Sequence, residues 1–485
     1  MRKASMSADR EHLPTSGTTP DRAHRSEDAV LEQAREAIRL LFGPPASRSC
    51  AVRYWDGSEE RPAAQGALST QQGAAARPSF TLVIRSAGGL RRMLTPPSEL
   101  RFGEAYVRGD VDIEGDMEAA AGLAQQLRER VGTPREIAHI VACASRIPHD
   151  DDLGTQEPHG RREHLHFMGH KHSRERDREA VRSHYDVGND FYSLWLDRSL
   201  VYSCAYFPTG SEDIDAAQRA KLDHLCRKLR LSPGERLLDI GCGWGGLIRY
   251  AAANYGVEAL GITLSERQAA LARERIRADG LEHRCRVEVR DYRDFPPDTT
   301  FDKVVSVGMF EHVGRAELPT YFRQAARLTK PGGLFLNHGI VRARDHDEGW
   351  RRWLRRMLWR EGKFIDRYVF PDGELVPLDE AVRNAEGAGL ETRDVETLRD
   401  HYALTLRQWV RRLESARDAA EKLVGAQAYR VWRLYMAASA HAFASGKLSL
   451  AQVLLGRPDE HGRVEIPRTR ADIYDVSASA QHAAA

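Results

Sequence analysis

The residues best suited to chemistry sit in one short run, Leu237-Leu238-Asp239-Ile240-Gly241-Cys242-Gly243-Trp244-Gly245-Gly246. An apolar strand here runs into a glycine-rich turn and then a helix. Gly241 and Gly243 let the backbone approach a ligand where a Cβ would clash. The helix N-terminus that follows favours a carboxylate or phosphate. The spacing is GxGxGG, and the next strand ends in Gly261-Ile262-Thr263-Leu264-Ser265, without the acidic residue that a dinucleotide site requires. The pattern therefore disfavours a nicotinamide dinucleotide and favours a nucleoside carrying an amino-acid tail. Asp291-Tyr292-Arg293-Asp294 follows the third strand, where an adenine would lie in such a sheet, so Tyr292 is a candidate to pack on the base.

The elements that must hold this loop alternate between strand and helix from Pro233 onward, which predicts an α/β fold with a doubly wound, Rossmann-like parallel sheet. Arg236–Ile240, 257–262, Cys285–Val289, 303–307 and 333–338 read as strands. Residues 246–253 and 265–278 read as helices, the second opened by a capping box of Ser265 and Gln268. After about residue 342 the pattern turns mostly helical, including 409–413 and 429–443. Residues 26–146 read as a small N-terminal α+β domain, with a strand at 79–84 and helices at 100–106 and 119–130. Residues 1–25 are a polar tail expected to be disordered, 147–180 a His- and Arg-rich basic linker, 181–475 the catalytic domain, and 476–485 a disordered tail.

Composition narrows the function. A formal net charge of +2 argues against nucleic acid as a partner. Cys50, Cys143, Cys204, Cys226, Cys242 and Cys285 form no CxxC pair and no zinc-type spacing, so no metal is expected and the thiols read as free in a reducing cytoplasm. The N-terminal stretch lacks the apolar segment of a secretory signal, and no apolar run is long enough to span a bilayer.

At this point the chain resembles the cyclopropane-fatty-acid-phospholipid synthase family, which includes the cyclopropane mycolic acid synthases. The resemblance runs from about Arg92 to Gly456. It is carried by the glycine loop and by 184–192 (HYDVGNDFY), 201–207 (VYSCAYF), 306–314 (SVGMFEHVG) and 368–373 (YVFPDG). It implies an enzyme that transfers a methylene carbon from S-adenosylmethionine to the double bond of an unsaturated phospholipid acyl chain. A carbocation forms and is deprotonated by a bound bicarbonate. The implied catalytic residues are Cys204, Glu311, His338, Ile340 (through its backbone) and Tyr402, with Glu311 and His338 orienting the ion and carrying the proton onward. The implied cofactor residues are Tyr202, Ser203, Asp239, Gly241, Gly243, Thr263, Leu264, Gln268 and Tyr292. Gly339 departs from the family pattern, where a larger residue is expected. Two alternatives stand beside this reading: a methylene- or methyl-branching methyltransferase using the same carbocation, and a non-catalytic lipid-binding protein.

An alkene is a weak, uncharged nucleophile, and a sulfonium methyl is a strong electrophile, so alignment in a dry pocket is the main task. Access to lipid would come from the surface. Trp350, Trp353, Leu354, Met357 and Leu358 recur on one helical face, with Arg351, Arg352, Arg355 and Arg356 on the other. That is the pattern of an interfacial helix attracted to anionic lipid, and it predicts peripheral association with the inner membrane surface. The N-terminal domain matches the accessory, lipid-binding domain of the phospholipid-acting members and is a candidate homodimerisation element.

Overall fold

The structure is a computed structural model and describes residues 20–62, 78–130, 134–148, 173–174, 176, 187–343, 362–370 and 373–474. Most of the basic linker, the 184–186 part of one family motif and the Trp- and Arg-rich segment at 350–360 lie outside the described residues.

The N-terminal unit comprises α1 (Pro20–Phe42), β1 (Ala51–Arg53), β2 (Glu59–Glu60), β3 (Phe80–Ile84), α2 (Ala87–Leu94), α3 (Glu99–Arg108), β4 (Val111–Gly115), α4 (Met117–Arg130) and α5 (Pro134–Ala144). Alternation in β3 buries Phe80, Leu82 and Ile84 on one face. Ser86 and Ser98 cap α2 and α3, each accepting a backbone N–H one turn into its helix. The strands form a small sheet ordered β2-β1-β3-β4. Because α1 is helical from Pro20, the tail expected to be disordered through residue 25 ends earlier.

The second unit continues with α6 (Asn189–Ser193), α7 (Ile214–Lys228), β5 (Arg236–Ile240), α8 (Gly246–Tyr255), β6 (Glu258–Thr263), α9 (Glu266–Ala278), β7 (Cys285–Val289), β8 (Phe301–Val307), α10 (Leu318–Leu328) and β9 (Thr329–Arg342). It closes with α11 (Lys363–Tyr368), α12 (Leu378–Gly387), β10 (Glu391–Thr397), α13 (Arg399–Ser415), α14 (Arg417–Ala444), β11 (Leu448–Gly456) and α15 (Ala471–Tyr474).

These strands make a seven-stranded sheet, β10-β11-β9-β8-β5-β6-β7. β7, β6, β5, β8 and β9 run parallel, whereas β11 lies antiparallel between β9 and β10. Parallel strands need cover on both faces, and successive residues show it. Leu237, Val305 and Leu336 pack with α7 and α8, while Leu238, Val304 and Phe335 pack with α10 and α12.

The expectation of a mainly helical chain beyond residue 342 therefore omits two strands. β10 is polar and lies at the sheet edge. β11 reads as an apolar run interrupted by Gln452, a pattern that periodicity does not separate from a buried helix. β11 is held by pairing with β9, more than a hundred residues away in sequence, and β10 by pairing with β11 in turn.

Candidate active site

The parallel strands end at one edge of the sheet, and a cavity opens there between the β5–α8 loop, the ends of β6 and β8, and the segment at 200–203. Tyr202, Ser203, Asp239, Gly241, Gly243, Thr263, Leu264, Gln268 and Tyr292 all line it. Gly241 and Gly243 have φ of 87° and 54°, a left-handed backbone that disfavours other residues. A Cβ on Gly241 would also come within 3.1 Å of Met309 Cβ, so the loop is cut to bring backbone close to whatever fills the cavity.

The cavity has a charged inner wall. Asp239 is almost fully buried, and its Oδ1 has no partner among the described residues. Burial pushes its carboxyl up to about 7, with Lys221 pulling the other way. A buried carboxylate in this position asks for a cation, a demand that the amino group of an amino-acid tail would meet. Lys221, also buried, donates to Ser203 Oγ at 2.9 Å, and burial lowers its pKa to about 8. Gln218, on the same helix, donates to the carbonyls of Val201 and Ser203 at 3.2 and 2.8 Å. Thus α7 fixes the strap at 201–203. Sequence reasoning missed Lys221, although a signal exists: Gln218, Lys221 and Lys228 interrupt the apolar stripe of Leu222, Leu225 and Leu229.

One detail differs from expectation at the second strand. Ser265 caps α9 by accepting from Gln268 N, but the Gln268 side chain does not return to the cap. Its Oε1 accepts from Thr263 Oγ1 at 2.8 Å, which turns Gln268 toward the cavity instead of completing a capping box. Tyr292 stands at the cavity's edge with its ring edge-on to Tyr321.

The five other expected residues do not line this cavity; they lie behind it in two groups. Cys204 and Tyr402 belong to one apolar cluster, against which Tyr202 and Ile340 also pack. Tyr202 is therefore shared between cluster and cavity. Its ring lies 5.4 Å from both Trp195 and Trp409 and 5.7 Å from Tyr192, within an aromatic wall that extends to Trp432. Burial pushes the Cys204 thiol up, so it is a neutral S–H. Tyr402 packs against Phe443 with ring centres 4.6 Å apart.

The second group is Glu311, His338 and Ile340. Glu311 Oε1 accepts the Ile340 backbone N–H at 2.7 Å. The backbone of Ile340, expected to help hold an anion, thus also props Glu311. Glu311 Oε2 and His338 Nε2 are buried without a partner among the described residues. Burial pushes the Glu311 carboxyl up to about 7 and, together with the charges of Lys221 and Lys228, pushes the His338 imidazole well below its usual range. Gly339, between them, has a physical reason: a Cβ there would sit 2.9 Å from the Phe310 ring, so Phe310 fills the space a larger residue would take.

Among the described residues no cluster of His, Cys, Asp or Glu could hold a metal ion, and no helix is long and apolar enough to cross a membrane.

Comparison with known proteins agrees with this layout. The family model described as mycolic acid cyclopropane synthetase matches residues 172–453, and a domain of unknown function, DUF7884, matches residues 38–130. A probable fatty acid methyltransferase of Pseudomonas putida is 41% identical over 435 residues, covering 89% of this chain and 98% of the relative. The cyclopropane-fatty-acyl-phospholipid synthase of Escherichia coli K12 is 36% identical over 314 residues, covering 64% of this chain and 77% of the relative. Among solved structures, the cyclopropane synthase MmaA2 from Mycobacterium tuberculosis superimposes with a TM-score of 0.54 at 33% identity, over 57% of this chain and 98% of that one. The mycolic acid cyclopropane synthase CmaA1, complexed with SAH and CTAB, gives 0.54 at 32% identity, over 57% of this chain and 98% of that one.

Proposed function

The chain belongs to the mycolic acid cyclopropane synthetase family and is an S-adenosylmethionine-dependent methyltransferase, and on that premise we propose that it adds one carbon across the double bond of an unsaturated phospholipid acyl chain and closes it to a cyclopropane ring. The observation that carries this reading is the pair of buried polar atoms without partners, Glu311 Oε2 and His338 Nε2, set behind the cofactor cavity beside an aromatic cluster.

S-adenosylmethionine supplies an electrophilic methyl on a sulfonium. The glycine loop would seat its nucleoside end, and Asp239 would meet the amino group of its tail. Tyr202 and Ser203, held by α7, close the cavity on the side of the aromatic cluster. An alkene has no proton to remove before it attacks, so the protein's task is alignment and exclusion of water. Once the methyl is on the acyl chain, the positive charge sits on carbon. The rings of Tyr202, Trp195 and Trp409 offer π faces to that charge without offering a nucleophile. Cys204, as a neutral thiol, adds little polarity there. Ring closure requires loss of a proton from the new methyl group. A bicarbonate ion suits this base role, and Glu311 Oε2 and His338 Nε2, with Tyr402 and Cys204 nearby, are the residues that would hold it.

A second reading keeps the cofactor and the cation but ends in a methylene or methyl branch. It is favoured by the relative matched over most of the chain, which is named a fatty acid methyltransferase. Contact with the bilayer is proposed to run through the Trp350, Trp353, Arg351 and Arg355 segment, with the N-terminal unit helping to draw out the acyl chain.

The test is incubation of the full chain with methyl-labelled S-adenosylmethionine and unsaturated phospholipid vesicles, anionic or neutral, with and without bicarbonate, followed by NMR of the acyl chains. Ring methylene signals, stronger with bicarbonate and with anionic vesicles, are expected. Vinylic or branched-methyl signals select the second reading. Cofactor binding with no label in lipid would leave a non-catalytic lipid-binding protein.

A further inference from the structure

Behind His338 runs a row of buried and half-buried polar side chains that the proposed reaction does not use. The antiparallel register of β9, β11 and β10 sets His338 opposite Gln452, and Gln452 opposite Glu396. Directly opposed residues share a face of the sheet. Helix α7 covers that face and brings Lys228 onto the row. Lys228 Nζ lies 2.9 Å from Gln452 Oε1, 2.5 Å from Glu396 Oε2 and 3.4 Å from Asp394 Oδ2. His224, one turn earlier, lies 2.8 Å from the same Glu396 oxygen through Nε2. Gln452 Nε2 is 3.2 Å from His338 Nδ1. Lys228, Gln452 and His338 are all fully buried.

Donor and acceptor counting leaves one arrangement. An ammonium group has three donors and no acceptor. Held by two carboxylates, Lys228 must meet the oxygen end of the Gln452 amide. The NH2 end then faces His338, and Nδ1 must accept. A neutral imidazole carries one N–H, so that hydrogen is on Nε2, the atom with no partner among the described residues. We infer that Lys228 and Gln452 are positioning residues that lock His338 as the Nε2–H tautomer, an obligate hydrogen-bond donor to an anion at the candidate site.

The consequence revises the expectation that His338 carries the proton onward. Its outer nitrogen faces an N–H and has nowhere to send a proton, so of the pair only Glu311 remains to take one. The purpose of the lock rests on the anion-holding reading above, but the tautomer itself does not.

The wild-type protein labelled with 15N-histidine, without lipid, tests the assignment. In the long-range 1H–15N spectrum at neutral pH, the signal missing from His338→Gln should show the Nε2–H pattern. An Nδ1–H or imidazolium pattern would overturn the proposal. In Gln452→Glu, a carboxylate that can only accept replaces the amide, and His338 should switch to Nδ1–H. The kcat should then fall by roughly 10–100-fold, as when a metal-bound histidine loses its orienting partner, with affinity for S-adenosylhomocysteine unchanged. A Gln452→Glu protein that keeps both kcat and tautomer also overturns it. Should that variant fail to fold, the wild-type spectrum still decides. An Nε2–H signal from a protein that modifies no lipid would reject the reaction reading and leave the tautomer assignment standing.

Discussion

Glu311 shows how one side chain can register its surroundings in stability. Folding buries its carboxyl, and the backbone N–H groups of Ile340 and of Glu311 itself offset that cost only in part, so its pKa rises from an ordinary 4.5 to about 7. Between those values the folded state holds a proton that the unfolded chain has released. Stability conferred at low pH is therefore lost as pH rises through this window, and the loss levels off above pH 7. The size is roughly 3 kcal/mol. Glu311→Gln keeps an acceptor for Ile340 but cannot ionise. Urea denaturation of the unliganded variant from pH 4 to 9 should give a stability curve flatter than wild type by about that amount. Asp239, also raised to about 7, keeps some slope in both proteins. Parallel curves for the two proteins would mean that Glu311 is not desolvated as the structure has it.

Helix α7 couples the parts of the site. Its Gln218 and Lys221 hold the strap at 201–203, and its His224 and Lys228 hold the row behind His338. Lys221→Met would leave Ser203 without its charged partner and Asp239 without the cation that favours its ionised form. Affinity for S-adenosylhomocysteine, measured by calorimetry, should fall about tenfold or more, the worth of a buried hydrogen bond to a charged group. Unchanged affinity would show that the strap does not depend on α7. The contrast between elements explains what the sequence could reveal. β5, its glycine loop and α9 are legible because local signals agree: an apolar run, a turn that only glycine makes easily, and a serine cap. The nine residues expected to meet the cofactor come from that part of the chain, from the strap beside it and, for Tyr292, from the loop after β7. β10 and β11 are not legible, because Glu391–Thr397 is a polar edge and Gln452 breaks an apolar run. What holds them is long-range pairing, β11 with β9 and β10 with β11, and the row behind His338 exists only through it.

For the whole molecule, the sequence suggests an accessory unit separable from a catalytic one, and the packing argues otherwise. The N-terminal core of Leu41, Ile84, Leu90 and Tyr106 also contains Ala437 of α14, and Val410 of α13 and Leu434 pack against it. Polar contacts cross at the same place. Arg433 donates to Tyr106 Oη at 2.9 Å and the half-buried Arg430 donates to Asp112 at 2.8 Å, while Arg433 also ties α14 to α13 through Glu414 at 2.7 Å. Gly122 of α4 leaves just enough room for His441: a Cβ there would approach its ring to 3.0 Å. Helix α14 thus belongs to both cores, and removal of the N-terminal unit would uncover apolar surface that drives folding elsewhere in the chain. The intact chain should therefore unfold in a single calorimetric transition, with the calorimetric and van't Hoff enthalpies agreeing. Arg433→Met leaves Tyr106 and Glu414 without their shared donor, and loss of the buried hydrogen bond from a charged group to Tyr106 costs about 2 kcal/mol. That variant should melt at lower temperature and begin to resolve two transitions, while retaining affinity for S-adenosylhomocysteine, since Arg433 does not line the candidate cavity. Two well-separated transitions in the wild-type protein would show instead that the units fold independently and that the shared helix does not couple them.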